Sequence, residues 1–534
     1  MGVMDLKASE TAALIEVIQE QNKTIASLRK TIEEMNSDSK ILREQIDYLT
    51  RRLFGSKSEK TSAITGQIVM DEILDYGQFN EAEVEANLPE IEPILKKTRT
   101  KKGYSREKAL LYLPNEDKVY TLPEEDQVCP VDGDKLSRVG KKYIRTEIEY
   151  TPATMKLVHL YRETWECRTC RTEGRKYLRE ALMDQPVLQH SMASASSVAW
   201  TMYQKYVNHV PLYRQEKDWQ NLGMEIKRST LSNWIIKTSE EWLSKVVVRL
   251  HEKLLEEKYL HADESPLQVL GEEGKSNTSK SYMWVYSTTR NSDKQIRVFD
   301  YRPGRAGANA AEFLEGFSGY LHTDAYKGYE KVRNVTRCLC WAHVRRYLAD
   351  ALPKDLKSVE ATLPRQGLAY CNELFKIEEK LRDLSPEDRK IQRLKLEKPL
   401  LEAYWSWVDQ NISTVLAKSK IGQAFQYAQN QKIGLMNYLE DGHCEISNNI
   451  AENSIRPFTV GRRNWLFSGS PEGSTASAIV YSLFETAKAN ELNPYKYLNV
   501  LLTGIPKLSS HNKMELLDSL MPWDPKIKKA CAIK

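Results

Sequence analysis

The sequence predicts a multidomain α+β protein, in which an α/β core is preceded by smaller modules and followed by a helical tail. A chain of 534 residues is too long for one compact core, so several domains are expected. The apolar pattern also changes character along the chain, from a seven-residue repeat to strand-like alternation, then to helical spacing and back to short strands. Finally, acidic residues stand where predicted strands end.

Composition and charge are those of an ordinary globular protein, with 41% hydrophobic and 28% charged residues. The net charge of +5 neither requires nor excludes a polyanionic partner. No stretch approaches the roughly 18 apolar residues that a membrane span needs. The eight unevenly spaced cysteines do not form a disulfide framework, so a reducing compartment, the cytoplasm, is expected.

Residues 10–55 carry the seven-residue repeat. One core position holds Ile18, Ile25, Ile32, Ile46 and Leu53, and the other holds Leu14, Leu28, Met35, Leu42 and Leu49. Ile at the first position and Leu at the second favour a parallel two-stranded coiled coil. The segment is therefore predicted to be a leucine zipper that makes the protein a homodimer or higher oligomer. A helix packed on its own chain is the alternative interpretation.

A charged linker is predicted over residues 56–117. It ends in a basic run of Lys96, Lys97, Arg99, Lys101 and Lys102. Such a run is compatible with contact to a phosphate backbone and equally with a solvated surface.

Residues 118–180 alternate apolar and polar side chains and are predicted to form a small zinc-finger-like β module. Cys167 and Cys170 have the spacing of a zinc-binding thiolate pair, and the partner turn offers Cys129 and Asp132. A site of three Cys and one Asp is chemically possible, with His159 as a substitute ligand. The alternative is a finger that has lost its metal and keeps three thiols.

Residues 188–258 have helical spacing and include a predicted helix-turn-helix. Its first helix runs from Pro211 to Asn221, and a second helix begins near Ser229, which is a candidate N-cap. Lys227 and Arg228 beside this helix start suit phosphate contact. Two helices joined by a turn are also common in helical domains that bind no DNA.

Two predicted strands each end in an acidic residue. The first, Leu260–Pro266, carries Asp263 where Pro266 is expected to stop the pairing, and the second, Gly319–Asp324, ends in Asp324. Strands at Tyr282–Ser287 and Ile296–Tyr301 and a helix at Ala308–Phe317 lie between them. This order of three strands, a helix and a fourth strand matches a ribonuclease-H-like core.

A third acid, Glu452, lies in a helix-like run, and Arg456 follows it by one turn. Carboxylates brought together suit Mg²⁺ or Mn²⁺, which prefer oxygen ligands and can promote phosphoryl displacement. A strand-end Asp taken alone is more often an N-cap or an ion-pair partner.

Basic and aromatic side chains are dense after Glu452, as expected where phosphates are neutralised and bases stack. The candidate DNA contacts here are Arg456, Arg462, Arg463 and Trp465. Weaker candidates for phosphate contact are His322, His343, Arg345 and Arg346. Tyr326 and Tyr329 are interpreted as packing residues.

These motifs together resemble the transposases of the insertion sequence 66 family, which belong to the DDE class. The resemblance covers the zipper, the run Leu53–Lys60, the finger, the region 211–234, the three acidic motifs and the tail motif Glu485–Tyr495. It departs from the family pattern at Asp132, where the finger usually has Cys, and at Ser447, where an Asp is common.

The resemblance implies that Asp263, Asp324 and Glu452 are the metal-binding acids. It further implies a catalytic core over 259–341 and 441–472, an α-helical insertion over 342–440 and a helical tail over 473–534. The expected cofactors are Mg²⁺ and zinc. The expected partners are the element's terminal inverted repeats, target DNA and small accessory proteins of the same element.

The sequence therefore predicts a bacterial, nucleoid-associated DNA transposase that cleaves and joins DNA strands. A catalytically inactive DNA-binding regulator of the element is the alternative, although all three acids are present. A host nuclease with the same core is disfavoured by the zipper, the finger and the tail.

Overall fold

The computed structural model describes residues 155–166, 172, 174, 178–180, 183–352, 362–508 and 514–533. All of them lie within one compact unit. None of the helices they form is both long and apolar enough to cross a membrane. The predicted coiled coil at 10–55, the linker at 56–117 and the zinc ligands Cys129, Asp132, Cys167 and Cys170 fall outside the described residues.

Two short strands, β1 (Thr164–Glu166) and β2 (Leu178–Glu180), pair antiparallel. They flank Cys167 and Cys170 in the chain. The strand character predicted for 118–180 is thus confirmed at these two segments, whereas the described residues 155–163 form no strand.

The next region is helical, as predicted. Its helices are α1 (Ala195–Tyr206), α2 (Leu212–Asn221), α3 (Arg228–Thr238) and α4 (Ser244–Leu255), with a π-helical turn at Ser239–Leu243 between the last two. Helices α2 and α3 pack through Trp219 and Trp234, whose ring centroids lie 5.9 Å apart. Gly223 makes the turn between them with a φ of +89°.

The predicted N-cap of the second helix is wrong. Helix α3 begins at Arg228, its N-cap residue is Lys227, and no side chain caps it. Ser229 is already inside the first turn. Instead, the backbone N–H of Arg228 donates to Glu216 of α2 at 3.1 Å, so a side chain of the neighbouring helix satisfies one of the donors left free at this helix start.

Five strands form the central mixed sheet in the order β5-β4-β3-β6-β7. They are β3 (Tyr259–Gln268), β4 (Lys280–Thr288), β5 (Arg297–Arg302), β6 (Gly319–Thr323) and β7 (Val335–Leu339). Strands β3, β4 and β5 pair antiparallel, whereas β3, β6 and β7 pair parallel. Helix α5 (Gly307–Phe313) precedes β6. The four predicted strands and the helix between them are confirmed.

Pro266 does not end strand β3, contrary to the prediction. The strand continues to Gln268, and Pro266 is the register partner of Tyr282 on β4. Pairing with β6 has already ended, because β6 stops at Thr323. One side of β3 is therefore open at this point, and a residue that lacks an N–H is tolerated on such an edge.

Four helices follow β7, in agreement with the helical pattern predicted for 342–440. They are α6 (Trp341–Asp350), α7 (Leu363–Leu381), α8 (Pro386–Asn411) and α9 (Lys420–Met436). They share a hydrophobic core of their own, in which Trp341 packs against Tyr404 and Trp405. This core reaches back to Cys338 and Leu339 on β7.

Four more α-helices are described after this region, and the first two of them contact the sheet. They are α10 (Asn449–Trp465), α11 (Pro471–Ala489), α12 (Pro494–Leu508) and α13 (Pro525–Cys531). Helix α11 covers the edge strand β5, because Ser482 and Thr486 accept hydrogen bonds from the backbone N–H of Phe299 and Arg297 at 2.8 and 3.0 Å. An edge strand is thus closed against further pairing.

Candidate functional site

The candidate site lies at the C-terminal ends of the parallel strands. His261 of β3 and His322 of β6 are register partners. Asp263 and Asp324 each follow these partners by two residues, and side chains alternate between faces with a period of two. The two acids therefore both stand just beyond the last register pair of β3 and β6, at the same edge of the sheet.

Each of these two acids is oriented by a backbone amide. Asp263 is buried, and its Oδ1 accepts a hydrogen bond from the N–H of Glu264 at 2.8 Å. Asp324 follows the last residue of β6, and its Oδ1 accepts from the N–H of Tyr326 at 2.9 Å. The turn after β6 thus fixes the second acid, while the strand itself fixes the first.

The third acid, Glu452, lies in the first turn of α10 and is fully buried. Its Oε1 lies 4.0 Å from Sγ of Cys340. Cys340 directly follows Leu339, the register partner of Thr323, so it stands beside Asp324. Glu452 is therefore held against the strand next to that of the second acid.

Asn448, the N-cap residue of α10, fastens this helix to the sheet. Its side-chain amide donates to the carbonyl oxygen of Ala262 at 2.9 Å, and its Oδ1 lies 3.1 Å from Nδ1 of His261. Its backbone N–H lies 3.1 Å from Sγ of Cys340. One residue thereby connects β3 with the end of β7 and sets where Glu452 lies.

The sequence interpretation gave His343 little weight, but the structure places it beside the third acid. Ligand atoms of Cys340, His343 and Glu452 all lie within 4.8 Å of one another, and all three residues are buried. A thiol and an imidazole therefore surround the carboxylate of Glu452. The signal in the sequence was the spacing of Cys340 and His343 at the start of a helix.

A second acid next to Asp263 was missed by the sequence interpretation. Glu264 points to the opposite face of β3, where its Oε1 lies 2.6 Å from Nη2 of Arg305 and its Oε2 accepts from the hydroxyl of Tyr329 at 2.5 Å. The same Nη2 of Arg305 lies 4.0 Å from Oδ2 of Asp324. Arg305 therefore bridges two acids on neighbouring strands.

The close approach of the acids in this network changes the pKa values of its members. Burial and the charge of Asp324 raise the pKa of Glu264 to about 7, against the opposing effects of Arg305 and Tyr329. Burial and then the carboxylates of Glu264 and Asp324 hold the pKa of Tyr329 well above its usual range. Tyr329 is thus a permanently protonated donor and, as predicted, a packing residue.

The predicted basic residues do not share one environment. Lys227 and Arg228 are exposed at the start of α3, and Arg463 is exposed on α10. Arg462 donates to the carbonyl oxygen of Pro266, so it also contacts β3. Arg456 is half-buried, and its predicted contact with Glu452 stays a prediction.

Trp465 was predicted to stack on nucleic-acid bases, and the structure finds it half-buried at the end of α10. Its ring packs edge-on against Tyr206, with the ring centroids 6.2 Å apart. Lys205 lies over the ring at 5.6 Å. The ring thus has an intramolecular partner, and its role in base stacking stays a prediction.

We expect Gly307→Ala to lower the stability of the protein by about 1–3 kcal/mol. A Cβ at Gly307 would lie 2.2 Å from the carbonyl oxygen of Gly328, in the turn that follows Asp324. Backbone must move to relieve such a contact. Gly304→Ala is the matched control, because a Cβ there meets nothing within 4 Å. Equal thermal denaturation midpoints for the two variants would contradict this account.

Sequence comparisons match four regions of the chain. Residues 190–476, more than half of the chain, match the model of the Transposase IS66 family. Residues 482–523 match the IS66 C-terminal element, and residues 126–171 match the zinc-finger binding domain of transposase IS66. Residues 41–117 match a model described as Transposase C of IS166 homeodomain. The matched regions include the three acids and the four proposed zinc ligands.

Similar full-length proteins occur in Sinorhizobium fredii. The uncharacterized protein y4qI is 27% identical and the match covers 97% of this chain and 92% of that protein. The uncharacterized protein y4jD is 25% identical over 93% of this chain and 97% of its own length. Among solved structures, the Drosophila P element transposase strand transfer complex is 12% identical over 61% of this chain and 94% of that chain, with a TM-score of 0.20.

Proposed function

The chain belongs to the Transposase IS66 family, and on that premise we propose that it is a DDE-class transposase with Asp263, Asp324 and Glu452 as its catalytic acids. It binds the terminal inverted repeats of its insertion sequence, cleaves the DNA strands there and joins them to target DNA. The observation that carries this proposal is the arrangement of the acids. Two follow register partners on adjacent parallel strands, and the third is buried against the end of the next strand.

A ribonuclease-H-like core is part of the proposal. The order β5-β4-β3-β6-β7 supports it, because three antiparallel strands are followed by a helix and two parallel strands. In such a core the acids come from neighbouring strands and from a later helix, as they do here. The helices at 342–440 then form an insertion between the second and third acids.

Magnesium fits the donor set at this site. Three carboxylates offer the hard oxygen ligands that Mg²⁺ and Mn²⁺ prefer, and Asp263, Asp324 and Glu452 would hold the ions. When bound, the ions supply activation of the attacking hydroxyl and neutralisation of the charge on the phosphate. Arg305 and Asn448 position two of these acids through the contacts described above.

The other modules contribute DNA contacts and assembly. We assign Cys129, Asp132, Cys167 and Cys170 to a zinc site in the finger, and residues 10–55 to a dimerising coiled coil. Helix α3 with Lys227 and Arg228, and helix α10 with its arginines and Trp465, provide phosphate and base contacts. Small accessory proteins of the same element complete the expected assembly.

A cleavage assay tests the proposal directly. Purified full-length protein is mixed with Mg²⁺ and duplex DNA that carries the element's inverted repeats, and nicked strands are resolved on a denaturing gel. We expect nicks at the repeat ends, and none on DNA with shuffled repeats or in the presence of a chelator. Tight binding to the repeats without cleavage in Mg²⁺ or Mn²⁺ would contradict the enzymatic assignment and indicate a DNA-binding regulator.

Arg305→Met is expected to slow cleavage by about ten- to a hundredfold, because the second acid loses the cation beside it and Glu264 is left buried without its ion pair. Repeat binding should be unchanged. Arg302→Met is the matched control, since Arg302 lies on β5 of the same sheet and forms ion pairs with Asp300 of that strand and Glu312 of α5. Equal rates for the two variants would remove the positioning role of Arg305.

A further inference from the structure

A second cluster of side chains that can bind a metal ion lies next to the acids, on the side of the sheet from which β6 approaches Asp324. It consists of His322 on β6, Cys338 on β7 and Cys444 in the segment between α9 and α10. Their ligand atoms all lie within 4.8 Å of one another. All three side chains are buried, with 1%, 0% and 0% of their surface exposed.

The chemistry of this cluster differs from that of the acidic site. Two thiols and an imidazole form a soft donor set, which selects zinc-like ions over magnesium. Zinc binds thiolate sulfur at about 2.3 Å in tetrahedral geometry, which places two sulfur ligands about 3.8 Å apart. The Sγ atoms of Cys338 and Cys444 are separated by 3.9 Å. The two sulfurs are thus already at the separation that a shared zinc ion requires.

The tautomer of His322 makes Nε2 its ligand atom. Nδ1 lies 3.2 Å from the carbonyl oxygen of Leu260, which can only accept, so the ring proton belongs on Nδ1. The lone pair of Nε2 accepts from the N–H of Glu445 at 2.9 Å, and metal binding at Nε2 would replace this hydrogen bond. A backbone carbonyl on the second ring nitrogen is the usual support of a metal-binding histidine.

His261 adds an independent observation beside the cluster. Its ring stacks on that of His322 with the centroids 4.3 Å apart, and it is fully buried. Its Nε2 has no hydrogen-bond partner among the described residues. A buried imidazole nitrogen without a partner costs free energy, so a polar atom beside the cluster is left unsatisfied among the described residues.

We propose that His322, Cys338 and Cys444 bind a thiolate-preferring metal ion of the zinc type. This ion is distinct from the magnesium at the acids and from the zinc in the finger. It ties β6 and β7 to the segment that leads into α10. Because His322 precedes Asp324 by two residues and Cys444 precedes Asn448 by four, the ion stabilises the framework that carries the second and third acids.

Measurement of the zinc content of the full-length protein tests this proposal without any cleavage assay. The protein is stripped of metal, loaded with Zn²⁺, freed of excess and analysed for zinc per chain. We expect Cys338→Ser and Cys444→Ser each to lose about one bound zinc, both alone and in combination with Cys167→Ser in the finger. Cys371→Ser is the matched control, because Cys371 is also buried and free but lies on α7.

Cobalt loading gives a second, spectroscopic readout that does not depend on metal counting. In the Cys167→Ser protein, Co²⁺ is expected to produce the near-ultraviolet charge-transfer band of thiolate ligands, and Cys444→Ser should abolish this band. An unchanged zinc content in both cysteine variants, or a wild-type-like cobalt spectrum after Cys444→Ser, would overturn the site. The proposal would also be overturned if Cys338 and Cys444 formed a disulfide. A disulfide would lower the mass of the untreated protein, a reductant would reverse this decrease, and either cysteine variant would abolish it.

Discussion

Replacement of Asp263 by Asn is expected to lower the rate of strand cleavage by about a thousandfold or more while repeat binding is retained. The substitution keeps the size of the side chain and the acceptor for the Glu264 amide, which lies 2.8 Å from Oδ1. It removes the negative charge that a divalent ion requires. DNA binding should therefore persist while cleavage is lost, because binding depends on residues elsewhere in the protein.

Asp300→Asn is the matched control for this substitution. Asp300 lies on β5 of the same sheet and pairs with Arg302 at 2.6 Å, and burial raises its pKa. The cleavage rate of Asp300→Asn shows how much activity is lost when an acid is removed from this sheet without affecting the proposed metal site. Cleavage by Asp263→Asn at the rate of the Asp300→Asn control would exclude Asp263 from the metal site.

Replacement of Arg393 by Met is expected to lower stability by about 3–5 kcal/mol. The side chain of Arg393 is completely buried, and its Nε and Nη2 lie 2.5 and 2.8 Å from the two carboxylate oxygens of Glu378. Its Nη1 also lies 3.3 Å from the carbonyl oxygens of Tyr438 and Asp441. Without the guanidinium, a carboxylate and two carbonyls lose their donor.

The neighbouring Glu397 does not add a second negative charge when Arg393 is removed. Burial and the nearby Glu378 raise the pKa of Glu397 to about 9, so it is largely neutral at pH 7 and accepts from the hydroxyl of Tyr438 at 2.7 Å. Removal of Arg393 would therefore expose Glu378 as the uncompensated charge. The Arg393→Met, Glu378→Gln double variant should recover part of the loss, since it removes that charge as well.

Denaturant midpoints of the full-length protein measure these effects. Lys395→Met is the matched control, because Lys395 is exposed on the same helix α8 and should change stability by less than about 0.5 kcal/mol. A midpoint for Arg393→Met equal to that of Lys395→Met would show that the buried ion pair contributes nothing to the helical region.

Local order along the chain could be predicted because it depends on local chemistry. The strand that directly precedes Asp324, the strand that carries Asp263 and the helix that carries Glu452 were all identified from residue patterns. The errors were local as well. Ser229 has the chemistry of an N-cap, but a neighbouring helix supplies the acceptor, and Pro266 has the chemistry of a strand terminus, but an unpaired edge tolerates it.

Contacts between distant residues could not be predicted in the same way. Nothing in the sequence near Glu264 indicates that Arg305 and Tyr329 hold it, because 41 and 65 residues separate the partners. The same holds for Cys338 and Cys444, which are 106 residues apart. Their approach depends on how β7 and the segment before α10 pack.

By itself, the sequence determined in what order the elements follow and which family the chain resembles, and it supplied the candidate site residues. Only the tertiary structure decided which side chains share a site, because the register between β3, β6 and β7 and the anchoring of α10 by Asn448 are long-range choices. Side-chain types and spacing encode local backbone preferences. Burial, ion pairing and metal geometry arise only when separated segments meet.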